Sequence, residues 1–319
     1  MIRLLPSWAV GVVTFGAMLL VLLFWALLFF VPVMLARLFI PIPVVQEHLG
    51  RWLEFIAERW VASNHHLYRG LHGQSPQISM PDGLSRSKSY LLICNHQSWA
   101  DILILFDLFH ARTPFLRFFL KQQLIWVPLI GVVCWGLDMP FMKRHSREAI
   151  AANPDLRRQD LEATRRFCEK YRAKPITVVN FVEGTRFSPQ KRAAKSSPYT
   201  HLLRPKSAGL SFTLNSMGDQ FEGIIDVTLA YQPSPHSKLW SWLCGQQRTL
   251  GVNITMRELP QAMLDGDYDQ DKGFRKGFRD WTNQIWAEKD QQLAQMQRHQ
   301  QQHPWSSQPQ AESQHDSAG

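Results

Sequence analysis

A single uncharged run near the N-terminus constrains this chain more than any other feature. From Leu4 to Ala36 there is no charged residue, and Arg3 and Arg37 flank the run. As a helix it would be about 50 Å long, whereas the hydrocarbon core of a bilayer is about 30 Å thick. The run therefore exceeds one span and falls short of two, and Pro32 can break it. We expect residues 1–40 to form a retained membrane anchor, either one span with an interfacial extension or a re-entrant pair.

Flanking charge predicts how this anchor is oriented. It is too long for a signal-peptide core and has no convincing cleavage site. Only Arg3 precedes the run, whereas four arginines follow it: Arg37, Arg51, Arg59 and Arg69. Because positive charge favours the cytoplasmic side, the rest of the chain is expected on the cytosolic face of the inner, or cytoplasmic, membrane.

Cysteine usage and charge narrow the classes of partner. The 4 cysteines form no Cys-x-x-Cys pair and have apolar neighbours, which favours reduced thiols over disulfides or a metal site. The net charge is +9, and residues 141–206 alone carry 16 Lys and Arg against 6 Asp and Glu. This basic segment predicts a phosphate-bearing partner, which could be nucleic acid, anionic lipid or a phosphorylated small molecule.

Periodicity divides the remainder into three parts. Residues 41–87 read as an amphipathic helix and a linker; the helix could either pack on the domain or lie among lipid headgroups. Residues 88–290 alternate strands and helices, which predicts an α/β domain with a mostly parallel sheet flanked by helices. Residues 291–319 are Gln-rich and then Ser- and Pro-rich, so a disordered tail is expected.

The most informative stretch in the domain runs from Ser89 to Asp101. Tyr90 to Cys94 reads as a buried strand that ends at Asn95, and a helical run begins near Ala100. His96 therefore lies in the loop after a strand, where open α/β sheets carry their chemistry. Asp101 could accept one imidazole N–H and leave the other nitrogen as a base for a hydroxyl. The alternative is a loop histidine satisfied locally, with Asp101 as a helix cap.

Four blocks occur in a fixed order along the domain: Asn95–Asp101, Phe119–Leu124, Phe141–Arg144 and Phe181–Ser188. Together they resemble the glycerophospholipid acyltransferase family, whose signatures are a His-x4-Asp box and a Glu-Gly-Thr-Arg box. The later segments Leu202–Lys206 and Gly223–Tyr231 are similar to blocks of its lysophosphatidate-acyltransferase-like branch.

The resemblance implies a role for each matching residue. It implies His96 as the base that deprotonates the acceptor hydroxyl, Asp101 as the residue that orients it, and Lys121 as an oxyanion stabiliser. The remaining matches are implied to hold the acceptor, with Arg186 as the phosphate fork and Glu183 orienting it. These acceptor-binding residues are Arg144, Glu183, Gly184, Thr185 and Arg186.

Two positions depart from the family pattern. Val182 stands where a proline usually precedes the Glu-Gly-Thr-Arg block, which affects only the rigidity of that loop. Gln123 replaces an acidic residue that is common after the third block's lysine, which weakens the role given to Lys121.

The resemblance implies transfer of a fatty acyl group from a thioester, acyl-CoA or acyl carrier protein, to the sn-2 hydroxyl of lysophosphatidic acid. It implies no metal and no other cofactor, and a phospholipid membrane as partner. Another lysophospholipid, such as lysophosphatidylglycerol or lysophosphatidylinositol, would fit the same chemistry. A non-enzymatic membrane-surface lipid-binding protein is a further alternative. Nucleic acid is not expected, because no reader motif accompanies the charge.

Overall fold

The computed structural model describes residues 5–73, 78–143, 155–172, 174–247 and 250–302, and side chains of 155–161 and 163 are outside this description. Its centre is a five-stranded sheet in the order β2-β5-β1-β6-β7, in which only the β6–β7 pair is antiparallel. A separate two-stranded parallel sheet joins β3 and β4. The strands are β1 (Ser89–Cys94), β2 (Leu116–Phe118), β3 (Leu120–Lys121), β4 (Phe141–Met142), β5 (Thr177–Phe181), β6 (Phe221–Ala230) and β7 (Gly251–Arg257).

Helices cover the sheet, so the predicted α/β class with a mostly parallel sheet is confirmed. The α-helices are α1 (Ser7–Trp25), α2 (Val31–Phe39), α3 (Pro43–His72), α4 (Ala100–Phe109), α5 (Ile130–Gly136), α6 (Asp155–Tyr171), α7 (Pro189–Ala194), α8 (Ser207–Met217), α9 (Lys238–Leu243) and α10 (Lys272–Gln302).

Strand β1 is apolar throughout because both of its faces are covered. Leu92 and Cys94 pack into a core shared with α3 and α4. Leu91 and Ile93 pack into a second core on the opposite face, shared with α6, α8 and α10. A central strand of a parallel sheet has no solvent-facing side, so its sequence is a continuous apolar run rather than an alternating one.

Parallel pairing brings two predicted blocks to one edge of the sheet. Cys94, the last residue of β1, is paired with Phe181 at the end of β5 and with Val227 on β6. The loops that begin at Asn95 and Val182 therefore leave neighbouring strands at their carboxyl ends, where ligand crevices form in such sheets.

The N-terminal run is one uninterrupted helix rather than a broken or re-entrant one. It continues from Ser7 to Phe39, and its residues Ala26–Phe30 form a π-helical turn. Pro32 has no N–H and its ring collides with the carbonyl of the preceding turn; the wider π turn directly before it accommodates both effects. Only 17% of the most apolar window of this helix is buried, so it is not a core helix of the domain.

Helix α3 runs back along the N-terminal helix and also contacts the domain. Thr14 Oγ1 lies 3.0 Å from Nε2 of His72, and Trp25 Nε1 donates to Ser63 Oγ at 2.9 Å. Leu53 and Ile56 are buried in the core beneath the sheet, whereas Trp52 is 57% exposed. The helix is therefore packed on the domain along one face and open on the other.

The stretch around residues 115–120 is divided between two sheets, because Leu116–Phe118 joins the main sheet and Leu120–Lys121 pairs with Phe141–Met142.

The predicted boundary between domain and tail at residue 290 is too early, since the last helix runs through Gln302. Leu293 is fully buried and Gln300 donates to the Ala230 carbonyl at 3.0 Å, so contacts with β6 order a segment whose composition suggested disorder.

Candidate functional site

The loop after β1 is fixed to the neighbouring strand by the side chain of Asn95. Its Nδ2 donates to the Leu229 carbonyl at 2.9 Å, and its Oδ1 accepts from the Leu229 N–H at the same distance. This two-way bond replaces a missing rung of the β1–β6 ladder. It therefore sets the position of the next residue, His96.

His96 and Asp101 form the hydrogen-bonded pair that their spacing predicts. Nδ1 of His96 lies 2.8 Å from Oδ2 of Asp101. The same oxygen accepts the backbone N–H groups of Gln97 and Ser98 at 2.7 and 2.9 Å. An ionised carboxylate only accepts, so Nδ1 carries the proton and Nε2 is the nitrogen that can act as a base. From the first turn of α4, Asp101 therefore binds both the imidazole and the backbone of the loop that precedes the helix.

Phe181 holds the imidazole from one side. The His96 ring stacks on Phe181 with centroids 4.0 Å apart and planes 17° from parallel. The imidazole side chain keeps 15% of its surface exposed, whereas the Asp101 carboxylate has none. A buried acid behind a partly open imidazole is the arrangement that a general base needs.

Glu183 connects the two signature blocks from beneath. Its Oε1 accepts the His96 N–H at 3.1 Å and its Oε2 accepts the Leu203 N–H at 2.8 Å. The side chain is 1% exposed, and burial raises the pKa of Glu183 to about 7 although both N–H donors oppose the shift. The expectation that Glu183 orients Arg186 was wrong, because its oxygens bind backbone on either side of the cleft floor.

A left-handed residue turns the second block around. Gly184 has φ +68°, a conformation that L side chains rarely adopt. A Cβ added there would also lie 3.0 Å from Cδ of Lys206. Further along, Phe187 donates its N–H to the His96 carbonyl at 2.7 Å. The block is thus bound to both the N–H and the carbonyl of the candidate base residue.

Arg186 lies on the open side of this block. Its guanidinium stands over the Trp99 ring, 4.9 Å from the centroid, and Trp99 belongs to the loop that carries His96. The guanidinium therefore lies against the same loop that carries the imidazole. Thr185 beside it accepts a hydrogen bond from Nζ of Lys191 at 3.1 Å.

Lys191 is a cation of the site that motif reasoning missed. Besides Thr185, its Nζ donates to the Arg186 carbonyl at 3.0 Å. Burial lowers the pKa of Lys191, and the positive charges of Arg186, Lys195 and Lys121 lower it further. Clustered cations of this kind fit an anionic ligand, because each is stabilised when a phosphate lies between them. Lys191 could have been predicted from its position on α7, the helix that directly follows the Glu-Gly-Thr-Arg block.

Of the two remaining predicted site residues, Lys121 and Arg144, only Lys121 lies in the described part of the chain. Lys121, on β3, joins the basic cluster through its proximity to Lys191, and none of its described contacts reaches His96. Arg144 lies outside the described residues.

Two further polar groups come from the residue directly after β6, Tyr231, and from the first residue of α9, Lys238. Tyr231 donates its hydroxyl to Oδ1 of Asp101 at 2.5 Å. Lys238 donates to Oε1 of Gln97, and its Nζ lies 5.4 Å from the centroid of the Tyr231 ring. Burial lowers the pKa of Lys238, and the charges of Asp101 and Glu183 oppose that shift. Within the described ranges, no group of three or more His, Cys, Asp or Glu could hold a metal ion.

The chain is similar to known acyltransferases. Residues 75–232, about half of the chain, match the family model described as Acyltransferase. The 2-acyl-1-lysophosphatidylinositol acyltransferase of Saccharomyces cerevisiae is 23% identical over 65% of this chain and 61% of its own length. The 1-acyl-sn-glycerol-3-phosphate acyltransferase gamma of Homo sapiens is 26% identical over 53% of this chain and 43% of its own length. The chain thus spans less than two thirds of the curated relatives it matches.

A solved structure is also similar. The crystal structure of the 1-acyl-sn-glycerophosphate (LPA) acyltransferase PlsC from Thermotoga maritima aligns with a TM-score of 0.43 at 15% identity, covering 84% of this chain and 96% of that one. The residues that match the family model include both signature blocks, β6 and Tyr231. The chain belongs to the glycerophospholipid acyltransferase family.

Proposed function

We propose that this protein is a membrane-bound acyltransferase that moves a fatty acyl group from an acyl thioester to the sn-2 hydroxyl of lysophosphatidic acid, giving phosphatidic acid. The observation that carries the proposal is the backbone bonding between the two blocks, in which His96 is tied to Glu183 and to Phe187. This bonding supports a site in which His96 is the base and the neighbouring basic cluster holds the phosphate.

The chemistry of the first step follows from the pair. Nε2 of His96 takes the proton from the acceptor hydroxyl while the hydroxyl oxygen attacks the thioester carbonyl. Asp101 keeps the imidazole in the required tautomer and stabilises the imidazolium that forms. When the tetrahedral intermediate collapses, the carbon–sulfur bond breaks and the proton on Nε2 passes to the departing thiolate. No acyl-enzyme is required.

The charge of the cluster favours a phosphate monoester as the acceptor's head group. Lys191 and Arg186 lie within contact of each other, and Lys121 adds a third positive charge nearby. A monoester carries close to two negative charges at neutral pH and a diester carries one. Lysophosphatidic acid therefore neutralises the cluster better than a lysophospholipid whose phosphate bears a second substituent.

The donor and the location are part of the proposal. Acyl-CoA or an acyl carrier protein thioester would serve as the co-substrate, with no further cofactor. The mostly exposed apolar helix from Ser7 to Phe39 supports membrane attachment, and the arginines after it support a domain on the cytosolic face.

A second candidate keeps the chemistry and changes the acceptor. The similarity to a yeast protein named for lysophosphatidylinositol supports lysophosphatidylinositol, or another head group such as glycerol, as the natural substrate. The basic cluster would bind the phosphate of either acceptor.

One assay separates these candidates. The purified full chain is incubated with a labelled acyl-CoA and a panel of lysophospholipids, and the diacyl product is measured beside His96→Ala and a surface control, His48→Ala. We expect transfer fastest to lysophosphatidic acid, at least about a thousandfold slower in His96→Ala and unchanged in His48→Ala. A preference for lysophosphatidylinositol would assign the second candidate. Binding to lipid vesicles without transfer to any acceptor, with acyl carrier protein thioesters also tested, would assign the non-enzymatic alternative.

A further inference from the structure

The segment between Lys121 and Leu137 forms an apolar hairpin on the surface, which we call the 122–136 hairpin. It consists of a 3-10 helix (Gln122–Trp126), a turn over residues 127–129 and α5, and it contains no charged residue. Trp126 is 84% exposed, the largest exposed fraction among the described large apolar side chains. Its other exposed apolar side chains are Val127, Ile130, Val132 and Trp135. An apolar patch of this kind on a protein surface marks an interaction site.

Three backbone N–H groups of the hairpin tip donate to carbonyls within the hairpin itself. Val127 donates to the Leu124 carbonyl at 3.2 Å, Ile130 to Pro128 at 2.7 Å, and Gly131 to Val127 at 2.9 Å. Gly131 also lies so close to Ile125 that an added Cβ would stand 2.6 Å from its carbonyl carbon. Internal pairing is what an irregular segment needs if it is to leave water, since lipid offers no hydrogen-bond partners.

A strained residue keeps the tip closed. Leu129 has φ +66°, a backbone conformation that is rare and strained for a residue with a bulky side chain. Glycine would remove that strain but would also remove an apolar side chain. Such strain persists where the surrounding structure or a bound partner favours the conformation.

The base of the hairpin is attached to the N-terminal helix. Arg37 donates to the Gly136 carbonyl at 2.9 Å and pairs with Asp138 at 3.2 Å. A Cβ added at Gly136 would lie 2.8 Å from Phe30 and 3.1 Å from Met34. The apolar surface of the hairpin therefore continues onto the exposed apolar residues of α2, among them Leu35 and Leu38.

We infer that the 122–136 hairpin is a second membrane-contacting element, which dips into the boundary between headgroups and acyl chains beside the N-terminal helix. Its helix of 7 residues is about 10 Å long, too short to cross a core of about 30 Å but suited to an interfacial insertion of about 5–10 Å. Tryptophan is enriched at that depth of the membrane.

The bilayer is favoured over a second copy of the chain because the patch is continuous with the apolar helix. This inference rests on the proposed membrane attachment and adds a consequence to it. The hairpin begins next to Lys121, a member of the basic cluster, so its insertion holds the cleft at the membrane surface. A lysophospholipid then reaches His96 with its acyl chain still in the bilayer.

Spin labels test the position of the hairpin in the intact chain. Cys94, Cys168 and Cys244 are buried, so only Cys134 is replaced, by serine, before single cysteines are introduced. The probe is Trp126→Cys. The lipid reference is Leu20→Cys, at a residue 67% exposed on the N-terminal helix. The water reference is Lys276→Cys, whose native side chain is 77% exposed on α10. The Cys134→Ser parent measures background labelling.

Each protein is reconstituted into vesicles of phosphatidylethanolamine and phosphatidylglycerol, and collisions with oxygen and with a water-soluble nickel chelate are measured. We expect the label at 126 to collide with oxygen and to lose most of its collisions with nickel, as at 20, while 276 shows the reverse. Nickel access at 126 equal to that at 276 would overturn the inference, whatever the label at 20 reports. The label at 20 tests the anchor separately. Spin–spin broadening at 126 that disappears on dilution with unlabelled protein would show a second copy instead and overturn it too.

Discussion

The Tyr231 hydroxyl donates to Oδ1 of Asp101 over 2.5 Å, on the carboxylate oxygen opposite the one that meets His96. Burial raises the pKa of Tyr231 well above its usual value, and the Asp101 charge raises it further, so the hydroxyl keeps its proton. The Asp101 carboxylate is thus held from both sides. Tyr231 acts on the base through Asp101, which makes it a positioning residue.

Tyr231→Phe should lower kcat about tenfold with little change in KM for either substrate, because one bond to the charged acid is worth about 1.4 kcal/mol or more. Steady-state kinetics on both substrates measures this split. Tyr199→Phe is the matched control, since the Tyr199 hydroxyl bonds Asn283 on α10 instead of the site. An unchanged kcat in Tyr231→Phe would show that the contact is structural only.

His96 and Asp101 should behave as one unit. His96→Ala removes the base, and Asp101→Asn removes the acceptor that selects its tautomer, so each alone should cost about a thousandfold or more in kcat. The double variant should be no slower than His96→Ala, because the acid acts only through the imidazole. A double variant slower by the product of the two single losses would give Asp101 an independent role. Circular dichroism on each variant checks the fold.

Lys191→Ala should raise the KM for lysophosphatidic acid about tenfold, as loss of one charged hydrogen bond to phosphate predicts. Arg186→Ala should raise it at least as much. The KM for the acyl donor should stay the same in both variants. Lys276→Ala, at an exposed lysine paired with Asp280 on α10, is the control. An acceptor KM unaffected by Lys191→Ala would remove this residue from the phosphate site.

Glu183 should make stability depend on pH in a defined window. Its pKa is raised from 4.5 to about 7 in the folded protein, so the folded state binds the proton more tightly than the unfolded state. Its contribution is therefore full below about pH 4.5 and is lost as the pH rises towards about pH 7, by roughly 3 kcal/mol in all.

Denaturant unfolding between about pH 5 and about pH 8 measures this dependence. Glu183→Gln should flatten it, although the amide can accept only one of the two backbone N–H bonds and so lowers stability at every pH. An equally steep decline in Glu183→Gln would assign the pH dependence to another group.

Phe30→Ala should destabilise the fold, whereas Phe24→Ala on the same helix should not. Phe30 is 2% exposed and packs at Gly136, while Phe24 is 49% exposed. Truncating a buried phenylalanine costs about 3–5 kcal/mol, and an exposed one costs little. The unfolding temperature of the two variants in detergent gives the comparison. Equal temperatures would mean that the N-terminal helix is only a tether.

The sequence predicted the parts of the site that are local and missed those that depend on distant pairing. His96 and Asp101 lie on either side of one strand-to-helix turn, so their spacing was enough to predict their contact. Tyr231 reaches Asp101 only because β6 lies beside β1 in the register that pairs Cys94 with Val227. Single-residue patterns carry no information on that register.

Other misses have similar causes. The antiparallel edge strand β7 lies in none of the motif blocks, although apolar and polar residues alternate from Val252 to Arg257 as in a strand. Glu183 was given a role towards Arg186 because both belong to one motif. Their closeness in the sequence suggested a contact, but the sharp turn at Gly184 separates their side chains.

The turn at Gly184 points the side chains of Glu183 and Arg186 in different directions, although the two residues are only three apart in the sequence. The carboxylate of Glu183 faces inward and binds backbone N–H groups, whereas the guanidinium of Arg186 stands over the Trp99 ring. Arg186 could therefore be substituted to suit a different head group without breaking the backbone contacts of Glu183, provided that residue 184 remains glycine.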